Sequence, residues 1–276
     1  MLELRSKLQL GGTQMAEQHE PLLLRETSDG IATLTLNRPP QRNALSMALM
    51  GELNAALADI AGDAEVKVVV IRGNGPAFCA GHDLKEMRAD DREEAHHRTL
   101  KECARLMTAI VELNKPVIAR VHGIATAAGC QLVATCDLAI AADDARFATP
   151  GVNLGLFCST PMVALSRNVN RKQAMEMLLT GEMIDAATAE KFGLINRAVS
   201  PDDLDDAVHE LAAKICSKSA VAVEIGKVAF YKQLECGLKE AYEYTGAVMV
   251  RNMMTHDAGE GIDAFIEKRK PVWTGH

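Results

Sequence analysis

The sequence predicts an α/β fold: a largely parallel sheet whose strands alternate with helices up to about residue 150, followed by a region that is almost wholly helical. Three observations carry this reading. Short apolar runs of strand length alternate with stretches of helical period. A hairpin signal, Asp29-Gly30, opens the chain between two part-apolar runs. Beyond residue 150 helical patterns follow one another with one short strand among them. Such an order implies parallel pairing with right-handed crossovers.

The elements follow in turn. Leu22 to Thr27 and Ile31 to Asn37 are the hairpin strands. Arg38-Pro39-Pro40-Gln41-Arg42-Asn43 is a loop by its prolines. Ser46 caps a helix reaching about Ile60, with Met50, Leu53 and Leu57 on one stripe. Val66 to Arg72 is a β-branched strand buried on both faces. The glycine-marked loop from Gly73 leads to Asp83, an N-cap for a helix from Leu84, with Glu86 placed to complete a capping box. A charged helix spans about Arg92 to Leu113, and Pro116 introduces the strand Val117 to Val121. Ala125 to Gly129 are all small, Gln131 to Thr135 read as helix, and Leu138 to Ala142 as a further buried strand. Helices are expected over Arg171–Leu179, Ala186–Phe192, Leu204–Ser217, Ala220–Leu234 and Leu238–Met254, with a short strand within Leu194–Val199.

Composition narrows the function. A chain of 276 residues with 48% hydrophobic content can bury a substantial core. A net charge of -7 argues against general nucleic-acid or anionic-membrane binding, so an anionic ligand needs a local basic cluster. Seven scattered Cys suit free thiols in a reducing compartment, here read as the cytoplasm, or the mitochondrial matrix in a eukaryote. No Cys pair has zinc spacing, and His96 and His97 are adjacent and solvated, so no metal site is expected. No apolar run approaches the roughly 20 residues of a membrane span. Residues 1–20 lack a signal-peptide core and read as a disordered tail, with Met15 as an alternative start.

Two strand–turn–helix units stand out. One runs from Val117 through the small-residue turn into the helix, and the other places His82 where a strand-following loop enters a helix. Helix starts carry free N–H groups and partial positive charge. Two such units at strand ends aim backbone donors at a developing negative charge. Alone, the small-residue turn is equally explained by close helix–strand packing.

A set of short motifs runs the length of the chain: Leu36-Asn37-Arg38-Pro39 with Asn43-Ala44-Leu45, Ala77-Phe78-Cys79-Ala80-Gly81-His82-Asp83-Leu84, Lys115-Pro116-Val117-Ile118-Ala119 with Gly123, Cys136-Asp137, Glu260-Gly261, Ala264-Phe265 and Glu267-Lys268-Arg269. By these, from about Leu22 to the C-terminus, the chain resembles the crotonase superfamily, the enoyl-CoA hydratase/isomerases. The order and spacing of the motifs are together highly specific. Ala125 to Gln131 and Ala148 to Pro161 look most like a subgroup found in animals and bacteria. The resemblance implies a crotonase (ClpP-like) spiral of ββα repeats over 21–200 and a helical trimerisation region over 201–276. It also implies a homotrimer or dimer of trimers acting on acyl-CoA thioesters, with no cofactor beyond the coenzyme A of the substrate.

The same resemblance assigns the thioester oxyanion to the backbone N–H groups of His82 and Ala128. Hydratases of the family carry one Glu where this chain has Gln131 and another where it has Gly151. Gln131 hydrogen-bonds but does not titrate, and Gly151 does neither. The acid used by some isomerases matches near Ser159. Gly81-His82-Asp83 also resembles the family's methylmalonyl-CoA decarboxylases, whose Tyr matches Cys158 here. His82, Ala128, Gln131 and Cys158 are therefore the candidate catalytic residues, with His82 and Cys158 expected as an imidazole–thiol pair. The blander alternatives are a turn residue for His82, an inert buried thiol for Cys158 and a helix hydrogen-bonding role for Gln131.

For coenzyme A the resemblance implies contacts from Arg42, Ala44, Leu45, Ala80, Asp83, Leu84 and Lys85, with Arg38 close by. Phe265 and Lys268 of a neighbouring subunit approach the same ligand. Arg269 and Lys270 are expected to be solvated, and Trp273 to anchor the tail against a subunit interface. The resulting expectation is an acyl-CoA-binding protein of the hydratase/isomerase type in which ordinary hydration is doubtful. The alternatives are a decarboxylase-like enzyme and a non-catalytic acyl-CoA binder or scaffold.

Overall fold

The computed structural model describes residues 20–276; of the expected tail, all but Glu20 lies outside the described residues. The hairpin is β1 (Leu23–Ser28) and β2 (Ile31–Leu36), turning at Asp29 and Gly30, both at positive φ. After a prolyl turn comes α1 (Met47–Ala61), capped by Ser46, whose Oγ accepts from the Leu49 N–H at 3.2 Å. Its buried stripe includes Met50, Leu53 and Leu57. Then follow β3 (Val68–Gly73), α2 (Leu84–Ala89), α3 (Glu93–Glu112), β4 (Val117–Val121), β5 (Ile124–Thr126), α4 (Ala128–Thr135), β6 (Leu138–Ala142) and β7 (Arg146–Ala148). The remainder is α5 (Pro161–Asn168), α6 (Arg171–Thr180), β8 (Ile184–Asp185), α7 (Ala186–Phe192), β9 (Arg197–Val199), α8 (Leu204–Cys216), α9 (Ala220–Leu234), α10 (Leu238–Met253) and α11 (His256–Ile266).

Six strands form the main sheet in the order β1-β2-β3-β4-β6-β9, antiparallel only at β1–β2. Its inner strands β3, β4 and β6 are largely buried on both faces, which is why they read as continuous runs rather than alternating ones. Val69, Ile71, Ala119 and Val121 face the large core under α1, α3 and α4, whereas Val68, Val70, Ile118 and Ile140 pack against Leu204, Val208 and Ala212 of α8. A second, three-stranded sheet, β5-β7-β8, is mixed. Strands of two or three residues leave no periodic signal, so the sequence reading did not contain this sheet. Helices α5 and α11 were likewise absent from it, and α4 begins three residues before the expected Gln131.

The helical C-terminal region is tied to the sheet by a buried cation. Lys227 of α9 has a side chain 6% exposed and lies 2.7 Å from Asp137. Its ammonium also donates to the carbonyls of Ile110 at 2.9 Å and Lys115 at 2.8 Å. Asp137 completes its own shell with the Tyr231 hydroxyl and the Val117 N–H. A buried charge persists only when paired and hydrogen-bonded in this way. The last residues dock on the same chain. Asp257, 1% exposed, accepts from Ser219 Oγ and from the N–H groups of Thr274 and Gly275. The Trp273 indole donates to Ser217 O at 3.0 Å, and its ring packs against Gly261. Trp273 thus anchors the tail within its own chain, and the expected anchoring on another subunit is not needed to account for it. Arg269 is not merely solvated: it pairs with Glu260 and Glu267.

Candidate active site

The donor turns are held together by three layers of chain. The Arg38–Leu45 loop supplies the first. Asn43 is fully buried in a left-handed conformation, φ 55°. Its Oδ1 accepts from the Arg38 N–H at 2.9 Å, and its Nδ2 donates to Asn74 O and Ala77 O at 2.8 and 2.7 Å. This amide locks the loop onto the Gly73–Asp83 segment. Two backbone bonds, Leu45 N–H to Gly81 O at 2.7 Å and Asp83 N–H to Leu45 O at 3.1 Å, then bracket His82. The Arg38 guanidinium meets Asp83 at 2.9 Å with both side chains mostly buried, and also donates to Ala44 O.

The second and third layers are β5 and α4. Cys79 pairs with Ala125, and Thr126 Oγ1 donates to Ala80 O at 3.1 Å. Gly129 packs so closely that a Cβ there would lie 2.1 Å from Cys79 O, so no side chain fits. Gly81 sits at φ +96°, and a Cβ on it would come within 3.3 Å of Ala128 N and 2.9 Å of Ala127 Cβ. The small residues that read only as permitting close approach are here used for it. Ala127 adopts φ 50°, ψ -118°, a costly region for a residue with a Cβ, held by its N–H donating to Ala148 O at 2.9 Å. That turn starts α4 at Ala128. Among the described residues, neither the Ala128 N–H nor the His82 N–H finds an acceptor.

Asp83 caps α2 as expected, its Oδ1 accepting from Lys85 N and Glu86 N. The capping box does not close. Glu86 instead accepts from Met47 N at 3.1 Å, because Asp83 N is already committed to Leu45 O. Burial acts to raise the Asp83 carboxyl, but the Arg38 hydrogen bond and the capped N–H groups hold it below the usual range.

Around the turn stand three buried polar side-chain atoms without a protein partner: His82 Nε2, Gln131 Oε1 and Thr149 Oγ1. Burial pushes the His82 imidazole down, so it is neutral at physiological pH. Cys158 is 7% exposed, and its Sγ accepts the Gly151 N–H at 3.3 Å. Burial raises its thiol, only partly opposed by that N–H. The expected imidazole–thiol pair is not formed: His82 Nε2 has no hydrogen bond, and the Cys158 thiol is raised rather than depressed.

Comparison with known proteins fits this geometry. Residues 26–276 match the family model described as enoyl-CoA hydratase/isomerase. The chain belongs to the enoyl-CoA hydratase/isomerase family. It is 48% identical over 257 residues to the mitochondrial enoyl-CoA hydratase domain-containing protein 3 of Xenopus laevis, covering 93% of this chain and 87% of that one. Among solved structures, an enoyl-CoA hydratase of Mycobacterium smegmatis superposes with a TM-score of 0.91 at 54% identity, covering 92% of this chain and 99% of that one. Human enoyl coenzyme A hydratase domain-containing protein 3 gives 0.89 at 46% identity, covering 92% and 100%. The fold is therefore the crotonase fold, and the resemblance read from the motifs, including the subgroup, is shown.

Within this crotonase-family chain the expected coenzyme A residues divide by exposure. Arg42, Leu84 and Lys85 are exposed on the loops joined at the Leu45–His82 bridge, with Ala80 half-buried beside them. Ala44 and Leu45 are buried. Arg38 and Asp83 are spent on each other, so Arg38 positions the loop rather than offering a free cation. Phe265 is 84% exposed and Lys268 is exposed at φ 56°; α11, which carries Phe265 in its last turn, packs against α9 and α10. A groove of about 420 Å³ lined by Arg72, Arg120 and His122 lies elsewhere and touches none of the candidate catalytic residues. Asn43 and Thr149 were not singled out by sequence reasoning. Asn43 stood inside a quoted motif, and an Asn, a residue type that tolerates left-handed backbone, in a prolyl loop was the available signal; Thr149 gave none.

Proposed function

We infer that this crotonase-family protein binds an acyl-CoA thioester and stabilises its enolate oxygen with the N–H groups of His82 and Ala128. The observation that carries the reading is the pair of N–H groups without acceptors at two turns packed on each other through Gly81. Preorganised donors of this type are each worth about 2.7–4 kcal/mol of barrier in acyl chemistry. Coenzyme A binds along Arg42, Ala80, Leu84 and Lys85, with the backbone of Ala44 and Leu45 behind them. The chemistry then differs from ordinary hydration, because neither Gln131 nor Gly151 supplies an acid or base. An enolate formed by decarboxylation needs the donors and no base in its first step. A non-catalytic acyl-CoA binder is the second reading, favoured by the raised Cys158 thiol and the neutral His82, which leave the turn without a titrating group near neutral pH.

Assembly into a homotrimer or a dimer of trimers, through residues 201–276, is part of the proposal. It is supported by α10, none of whose residues is buried, and by the exposure of Leu238, Tyr242, Met254 and Phe265. Among the described residues no helix is long and apolar enough to cross a membrane. The seven free thiols suit the cytoplasm or the mitochondrial matrix, the latter being where the vertebrate relatives are named. The test is a mass-spectrometric screen of malonyl-, methylmalonyl- and enoyl-CoA thioesters alongside calorimetric binding. Turnover of a carboxylated thioester supports the enzyme reading; binding without turnover supports the binder; no binding of any thioester overturns both.

A further inference from the structure

The apolar columns that face α8 end in charge. Along β3 the alternation that turns Val68 and Val70 to that face continues to Arg72, and along β4 that of Ile118 continues to Arg120. Arg72 and Arg120 are register partners on adjacent parallel strands, so two guanidiniums stand side by side at the carboxyl end of the sheet. The groove of about 420 Å³ opens there, between these strand ends, Ala142 of β6 and Leu204 at the start of α8. Crevices outside the carboxyl ends of parallel strands are where open α/β sheets bind ligands, and the volume is that of a small-molecule pocket. Its walls are fixed by backbone contact. The His122 Nε2 donates to Gly75 O at 2.7 Å, and a Cβ on Gly123 would lie 2.5 Å from Pro76 O.

The charges in the groove are not balanced evenly. Like charges side by side on neighbouring strands are unfavourable without an anion between them. Asp205 of α8 is that anion within the chain, and it is shared unequally. Its carboxylate accepts two bonds from Arg120, at 2.8 and 3.1 Å, but meets Arg72 only at 3.5 Å. Arg120 is buried, whereas Arg72 is half-buried and makes no other side-chain hydrogen bond among the described residues. The fork of donors on Arg72 therefore stands open. Asp144 also lines the groove, but it is exposed and pairs with neither arginine. Burial pushes the His122 imidazole down and its bond to Gly75 opposes this; Arg120 and Arg72 then lower it further, each by at least as much as Asp144 raises it. The field at His122 is thus positive even with Asp144 present.

We propose that this groove binds a small oxyanion, a carboxylate or a phosphate, with the open guanidinium of Arg72 as its principal ligand and Arg120, held by Asp205, beside it. A guanidinium fork matches the paired oxygens of either anion, and charge-assisted bonds of this kind are the strong ones. In a chain of net charge -7, such a local cationic pair is what an anionic ligand requires. The site is separate from the one inferred for the thioester and does not rest on that reading, since none of the residues placed at the oxyanion or along coenzyme A lines it. The two are nevertheless joined through the backbone. Gly73 to Pro76 run on to His82, and His122 and Gly123 run on through β5 to Ala128.

The experiment is calorimetric titration of the full-length protein with inorganic phosphate and, separately, with succinate, in a chloride-free buffer of low ionic strength. The parent should bind at least one of them at one site per chain. Arg72→Gln should weaken that binding by about tenfold or more, the loss expected for one charge-assisted hydrogen bond. Because Arg72 has only one long contact, the variant should fold, and its melting temperature is measured alongside. Asp205→Asn should act in the opposite direction and tighten binding, since it removes the competing carboxylate while leaving Arg120 an acceptor. No binding of either ion to the parent, or binding that Arg72→Gln leaves unchanged, would overturn the proposal. The titration is repeated with protein saturated with butyryl-CoA. An unchanged affinity supports a separate site; loss of ion binding by direct competition would show that the groove holds a phosphate of coenzyme A and would overturn the separation. A parent that binds the ion but no butyryl-CoA would count against the acyl-CoA reading alone.

Discussion

Asn43→Ala is the sharpest probe of how the donor turns are held. The amide satisfies two carbonyls, Asn74 O and Ala77 O, and one N–H, that of Arg38, and the residue has no exposure to water. Stranding those three groups costs about 1–3 kcal/mol each. Placing a Cβ without a polar side chain at φ 55° adds about 1 kcal/mol. Some water entry offsets part of this, leaving about 4–6 kcal/mol. At about 2–4 °C per kcal/mol for a large domain, the melting temperature should fall by roughly 10–20 °C. Asn43→Gly removes the same amide but tolerates the left-handed backbone, so it should recover about 1 kcal/mol of the loss. Calorimetric binding of butyryl-CoA on whatever folded protein remains should weaken, because His82 is bracketed by the segment that Asn43 fixes. A fall of less than 3 °C with unchanged affinity would show that the loop is held by something other than this amide.

Other outcomes follow from the same geometry. Gly129→Ala should give misfolded protein or protein unable to bind thioester, since the new Cβ meets a backbone oxygen at 2.1 Å; a soluble, fully binding variant checked by calorimetry would refute the close-packed turn. Cys158 should react with iodoacetamide slowly at neutral pH and faster only above the ordinary thiol range, and His82→Ala should leave that profile in place, as read by mass spectrometry. A profile that shifts with His82 would restore the imidazole–thiol pair. The Asp257 carboxyl is held near 2: burial acts to raise it, but hydrogen bonds from Thr274, Ser219 and Gly275 outweigh that. A depressed carboxylate contributes stability above its unfolded value of about 4 and loses it as pH falls toward 2. Asp257→Asn should therefore flatten the fall in melting temperature between about pH 4 and pH 2; a parallel curve would remove Asp257 from the account.

Much of this was legible in the chain. Val66 to Arg72 read as a strand buried on both faces and Val117 to Val121 as a buried strand because they lack alternation, and both faces of the sheet there are covered, one of them by α8. His82 and the start of α4 were readable as donor turns because glycine, small residues and a cap marked them. What was not readable depends on contacts far apart in sequence. The fate of Glu86 turns on Leu45 having taken the Asp83 N–H, which no local pattern encodes. Arg38 looked like a cation beside a ligand loop until its partner, Asp83, was placed 45 residues away. Gly151 read as a lost acid; only the return of the chain at Leu156 and Cys158 shows that the position is filled.

The buried Lys227 has a consequence for the order of synthesis. Its acceptors at Ile110 and Lys115 lie 117 and 112 residues upstream. At about 5–20 residues per second, a ribosome needs roughly 6–22 s to reach Lys227 after completing Lys115. Until Lys227 is made, the Ile110 carbonyl in α3, the Lys115 carbonyl before β4 and, once it is made, Asp137 have no such cation. The nascent spiral must therefore wait, incompletely sealed, for its own C-terminal third, and the wait exposes it to chaperones and to neighbouring chains at the same surface.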